Sequence, residues 1–65
     1  MSIEFAISVA YRINSEVSIS QRSNNVLSLR FSNEDEAIMF TRELSIHIDI
    51  FRVMRNDSEV IVTII

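Results

Sequence analysis

Four side chains raise the first chemical question: Arg12, Ser18, Arg22 and Arg30. Val17, Ile19, Leu27, Leu29 and Phe31 occupy odd positions, while Ser18, Ser20, Arg22, Ser28 and Arg30 occupy even ones. On a strand, that alternation puts serines and arginines together on one face. All six basic residues are Arg, with no Lys. A guanidinium fork grips phosphate or carboxylate through two parallel hydrogen bonds, which an ammonium does not. A row of Arg12, Ser18 and Arg30, with Arg22 beside it, would therefore hold a small anionic ligand such as a nucleotide. The plain alternative is a solvated sheet face, with Glu4 and Glu16 as ion-pair partners.

Other chemistry finds less support. His47 is the only histidine, and Asp49 is its only close carboxylate. If both lay on one strand they would share a face, but no nucleophile and no third orienting group accompanies them. Glu34, Asp35 and Glu36 are better placed to start a helix than to hold a metal, and Asp57 and Glu59 flank a turn. Neither group has the ligand spacing of a calcium loop, which also requires Gly. Cys, Gly and Pro are all absent. No thiolate site, disulfide or Gly-rich phosphate loop can form, so no cofactor, no metal and no catalytic residue is expected.

The elements that would position these residues follow from periodicity. Ile3, Phe5, Ile7, Val9, Tyr11 and Ile13 alternate with more polar or smaller residues, which predicts a strand. Val17–Ile19 and Leu27–Phe31 continue the odd parity. Directly opposed residues of an antiparallel pair share a face. Odd can oppose odd across three-residue loops at 14–16 and 23–25, each with one Asn in the left-handed conformation. That register sets Arg12 against Ser18, Ser18 against Arg30, Arg22 against Val26 and Ile19 against Leu29.

A helix follows over 33–46. Ser32 and Asn33 suit an N-cap, and Glu36 has capping-box spacing from Asn33. Ala37, Phe40, Thr41 and Leu44 form its apolar stripe. Met39 and Ile46 point elsewhere and are candidates for a partner patch. Residues 48–54 and 59–65 then read as a hairpin. A two-residue turn at Asn56-Asp57 would pair Val53 with Val60 and Phe51 with Val62. Its opposite face carries Ile48, Ile50, Ile61 and Ile65, so both faces are apolar and one of them needs a cover. The expected fold is α+β, ordered βββαββ, with an antiparallel-rich five-stranded sheet and one helix packed on one face, all within a single domain of residues 1–65.

Composition narrows the function. A domain of 65 residues buries only about 60% of the surface its unfolded chain exposes. Hydrophobic residues nevertheless make up 48%, eleven of them Ile. The surplus predicts a homo-oligomer joined through Ile48, Ile50, Ile61 and Ile65. The net charge of −3 argues against nucleic-acid backbone binding. No apolar run is long enough for a membrane span, and the N-terminal stretch lacks a signal peptide's basic start. Absence of Cys fits a cytoplasmic setting. The expectation is a small acidic, non-enzymatic protein-binding oligomer that inhibits another macromolecule. In size and Gly-poor style it is like the small inhibitors that phages and mobile elements encode, a comparison that rests on size and style alone. The alternatives are a binder that sequesters an anionic ligand through Arg residues, and a nucleic-acid-binding sheet. The last needs exposed aromatics on a basic face.

Overall fold

A computed structural model describes residues 2–65. The element order is helix α1 (Ser2–Ile13), strands β1 (Ser18–Ser23) and β2 (Val26–Arg30), helix α2 (Glu34–Ser45), and strands β3 (Phe51–Asn56) and β4 (Glu59–Ile64). The fold is α+β, but with four strands and two helices rather than five strands and one helix. The correction lies in the N-terminal segment, which is helical. Ala6, Val9 and Ala10 are buried, and Ile3, Ile7 and Ile13 pack against the core beside them. These positions trace a helical stripe that coexists with the odd-position alternation. Ala6 and Ala10 decide between the two. A strand would leave both methyls on the polar face; the helix takes both out of water entirely.

The sheet order is β1-β2-β4-β3, and every neighbouring pair is antiparallel. Two helix-hairpin halves, α1-β1-β2 and α2-β3-β4, thus meet where β2 pairs β4. Each half has a twelve-residue helix and a tight turn. Leu27 and Leu29 in one half correspond to Val60 and Val62 in the other, and all four are fully buried. β2 and β3 flank β4, so α2 crosses between two parallel strands. This is the strand order of a split β-α-β-β-α-β sheet entered one strand later.

Both hairpins turn differently from the parity argument. Ser23 pairs with Val26, leaving a two-residue Asn24-Asn25 turn, and the register shifts between Gln21 and Ser23. Arg22 is the extra residue of this bulge. The odd residue that parity demands is absorbed in the strand rather than in the loop. Ile19 accordingly faces Leu29 and Ser18 faces Arg30, as expected, while Arg22 does not face Val26. In the second hairpin Asn56 pairs with Glu59, so the turn is Asp57-Ser58. Val53 then faces Val62 and Phe51 faces Ile64. The turn moves because Asp57, not an Asn, takes the left-handed conformation, at φ 55°. It is the only non-Gly residue with positive φ among those described.

The α2 helix forms as its sequence implies. Asn33 is the N-cap, and its Oδ1 accepts from the Glu36 N–H at 3.0 Å. Glu36 Oε1 accepts from the Ser32 N–H at 3.1 Å, one residue earlier than in the usual capping box. Ala37, Phe40 and Leu44 are fully buried. They join Leu27, Leu29, Val60, Val62, Phe31 and Phe51 in one core with the buried side of α1. Phe31 and Phe40 rings pack 5.2 Å apart. Both helices therefore cover one side of the sheet.

Candidate functional site

The uncovered side of the sheet is the first surface of interest. Its residues follow from the registers. One row runs Ser18, Arg30, Glu59, Asn56 across the four strands. The next runs Ser20, Ser28, Ile61, Met54, and the third runs Ser23, Val26, Thr63, Arg52. Its apolar residues are scattered: Val26 in an end row and Ile61 in the middle are half-buried, Met54 on the edge strand β3 is 69% exposed, and the buried Ser28 sits beside Ile61. Arg30 Nη2 lies 3.6 Å from Glu59 Oε2, which also accepts from Ser28 Oγ at 3.4 Å. Arg52 stands exposed at the opposite end of the face. No aromatic residue is among the twelve positions of these rows.

The two free edges of the sheet are guarded. β1 carries the Arg22 bulge and an almost wholly polar sequence. β3 turns Arg55 toward the helix side, opposite Val60, where its Nη1 donates to Glu34 Oε2 at 2.8 Å and to the Asp57 carbonyl at 3.1 Å. Bulges and inward-pointing charges are devices that stop sheets growing edge to edge.

The second surface lies where α2 passes into β3. Residues 46–50 are turns, with the His47 carbonyl accepting from the N–H groups of Ile50 and Phe51 at 3.0 and 2.9 Å. Ile46, Ile48 and Ile65 are 74%, 75% and 68% exposed. Ile48 and Ile65 line a shallow cleft with Arg52. Beside it the His47 ring packs edge-on to Phe5 at 5.0 Å and to Phe51 at 6.3 Å. His47 is thus part of an aromatic cluster, and Asp49 lies with it in the turn segment rather than on a strand.

The residues singled out from sequence are therefore redistributed. Ser18 and Arg30 are cross-strand neighbours, as expected. Arg12 is not with them. It sits in the last turn of α1, where it lines an interhelical groove with Val9, Ile13, Met39 and Glu43. Arg22 sits in the bulge, and Arg30 is already paired with Glu59. The three-strand anion row does not form, because the strand that was to carry Arg12 is a helix. Ile48, Ile50, Ile61 and Ile65 do not share a face either. Ile61 is on the open sheet, Ile50 packs against the core, and Ile48 and Ile65 belong to the end surface. Met39 and Ile46 are exposed, as expected. Sequence reasoning missed Met54 and Arg52 as surface determinants; the corrected hairpin register puts Met54 opposite Ile61 and moves Arg52 from Ile61 to Thr63.

Charge is distributed unevenly along the strand direction. Glu34, Asp35 and Glu36 open α2 at the same end as the Asp57-Ser58 turn and Glu59, an arrangement fixed by the Arg55–Glu34 ion pair. Glu16 joins them, because Asn14 Nδ2 donates to Glu36 Oε1 at 2.9 Å and Asn14 Oδ1 accepts from the Glu16 N–H at 2.8 Å. Six of the nine carboxylates thus gather at one end. Arg22 and Arg52 lie toward the other. No group of three or more His, Cys, Asp or Glu side chains among the described residues is arranged to hold a metal ion. No helix of the described residues is long and apolar enough to cross a membrane. Compared with known proteins, the chain matches no family model, no curated protein and no solved structure.

Proposed function

We propose that this chain is a non-enzymatic interaction protein, an oligomer that binds and inhibits another macromolecule. The observation that carries the reading is the end surface of Ile46, Ile48 and Ile65, each about two-thirds or more exposed. Scattered exposed apolar residues are ordinary, but three large aliphatic side chains at one end, beside a cleft, mark a contact surface. A protein target fits this surface better than a nucleic acid. Base stacking needs aromatic side chains on an open basic face, whereas the open sheet carries none and the chain is acidic overall.

The test is capture of a partner from the chain's own host with wild type and with an Ile46→Asp, Ile48→Asp double variant. Both substitutions fall on exposed positions, so the fold is retained and circular dichroism verifies it. One protein enriched by the wild type and lost with the variant is the expected result. Identical recoveries from both proteins would sink the assignment of this surface.

A further inference from the structure

The two helix-hairpin halves meet in a way that sets what one copy of the chain can do with another. We infer that the molecule repeats one αββ module twice, docked through β2 and β4, and that two copies exchange modules, the first module of one docking on the second module of the other. This exchange goes beyond the reading above and does not involve the end surface that takes the target.

The repeat extends to the contacts between the halves. One interval along the chain separates Leu27 from Val60, Leu29 from Val62, and the Asn24-Asn25 turn from Asp57-Ser58. Leu27 faces Val62 and Leu29 faces Val60, so each pair is the image of the other about a pseudo-two-fold axis through the Ser28–Ile61 pair. The backbone contacts obey the same operation. The Phe31 N–H donates to the Ser58 carbonyl at 2.8 Å, and the Ile64 N–H donates to the Asn25 carbonyl at 2.7 Å. The helix ends obey it too. Asn14, just past α1, holds Glu36 in the first turn of α2, and His47, just past α2, packs on Phe5 near the start of α1. Two unrelated hairpins would share a turn, but not contacts that run both ways between them.

The joint is thus built as the interface of a two-fold dimer is built. Leu27, Leu29, Val60 and Val62 are fully buried, and each module supplies two of them. Neither module covers these residues alone, so each needs the other kind of module against it. Only the link between them decides which chain supplies it. Phe31 is buried and packs on Phe40 at 5.2 Å, so it stays with the docked joint. Ser32 and Asn33, both exposed, are left as the hinge.

Exchange re-forms the β2–β4 ladder, the Phe31–Phe40 packing and the Asn14–Glu36 bond between copies, each of them twice. Its cost lies at the hinge, where Ser32 gives up its bonds to Asn14 and Glu36. Such swapping of identical elements is a low-cost route to a dimer, and a short hinge invites it. The tether between modules acts as an effective concentration in the millimolar range. The closed monomer therefore prevails at micromolar concentration, and the exchanged dimer fills as the chain approaches that range. β2 and β4 must part first, so exchange proceeds through unfolding and refolding.

The experiment mixes two full-length single-thiol variants, Ser28→Cys and Ile61→Cys, one of them isotope-labelled so that mixed disulfides are told by mass. They are unfolded together in urea and refolded at about 1 mM under a mild oxidant. The two positions oppose each other on adjacent strands, within disulfide reach. With one thiol per chain, that bond closes across β2 and β4 only in an exchanged pair. The control mixes Ser20→Cys with Ser28→Cys, an opposed pair inside the first module, which exchange leaves within one chain. The first mixture is expected to give roughly fivefold more mixed disulfide than the control, falling away on refolding at micromolar concentration. Equal yields would overturn the inference, as would no bond from the first mixture. The double variant Ser28→Cys, Ile61→Cys, oxidised in dilute solution, verifies that the pair closes within one chain; if it does not, Arg30→Cys with Glu59→Cys, the next opposed pair, replaces it. None of these variants alters Ile46 or Ile48, so failure of exchange and failure of target binding are separately visible.

Discussion

Removing the Glu36 carboxylate should loosen the joint between the two helices by a measurable, non-additive amount. Glu36 Oε1 accepts two hydrogen bonds, from the Ser32 N–H and from Asn14 Nδ2. Asn14 Nδ2 also reaches Ser32 Oγ at 2.9 Å, and its Oδ1 receives the Glu16 N–H. One carboxylate thus ties the end of α1 to the start of α2. Hydrogen bonds to charged groups contribute about 1.5–3 kcal/mol each when shielded and less where water competes. Ser32 is exposed and the Asn14 contact is half-buried, so Glu36→Ala should cost about 2 kcal/mol. For a chain whose whole stability is roughly 3–10 kcal/mol, that is a large fraction. Thermal melts should show a fall of roughly 8–16 °C. Glu36→Gln keeps the acceptor but not the charge and should lose about half as much. Asn14→Ala should cost about 1.5 kcal/mol, and the double variant about 1 kcal/mol less than the two costs combined, because both remove the same bond. Urea unfolding of the four proteins measures this cycle. Additivity to within about 0.3 kcal/mol would refute the shared bond as the joint.

Other substitutions separate core, turn and edge. Phe40→Ala empties a fully buried site against Phe31 and should cost about 3–5 kcal/mol in urea unfolding, the largest loss among these single substitutions. Asp57→Ala forces a Cβ without local hydrogen-bonding help into the left-handed region and should cost about 1 kcal/mol in urea melts, whereas Asp57→Gly should be neutral or stabilising. Arg55→Val removes only a partly exposed ion pair, so its stability effect should stay within about 1 kcal/mol. The same change leaves the β3 edge unguarded, and light scattering should report growth of large aggregates that the wild type does not form.

The parts of this fold that were legible in sequence are those where one physical signal acts alone. Asn33 and Glu36 mark the start of α2 because capping chemistry has few alternatives, and Ala37, Phe40 and Leu44 fit only a helical stripe. The pairing of Ile19 with Leu29 followed from parity. The N-terminal segment was illegible because two periods coexist there. Ile3, Ile7, Val9 and Ile13 serve a strand face or a helix stripe equally well, and their β-branched character favours the strand. Only tertiary packing of Ala6 and Ala10 against the core resolves it. The turns misled for a related reason. Parity counts residues without saying whether the odd one sits in the loop or in a bulge, and Arg22 chose the bulge. The surfaces inherited both errors: Arg12 left the serine face with its strand, and Met54 joined Ile61 only when the second hairpin shifted. Of the serine and arginine face, Ser18, Ser20, Ser28 and Arg30 do lie on the open side of the sheet, but Arg12 is on α1 and Arg22 is in the bulge, and their neighbours Ile61 and Met54 on that side needed the strand order.

The most direct measurement of the central claim compares what the wild type and the Ile46→Asp, Ile48→Asp variant capture from the chain's own host, at equal concentration and with matched circular dichroism spectra. One protein enriched by the wild type and lost with the variant is the predicted result. Identical recoveries from both would contradict the end surface as the binding site.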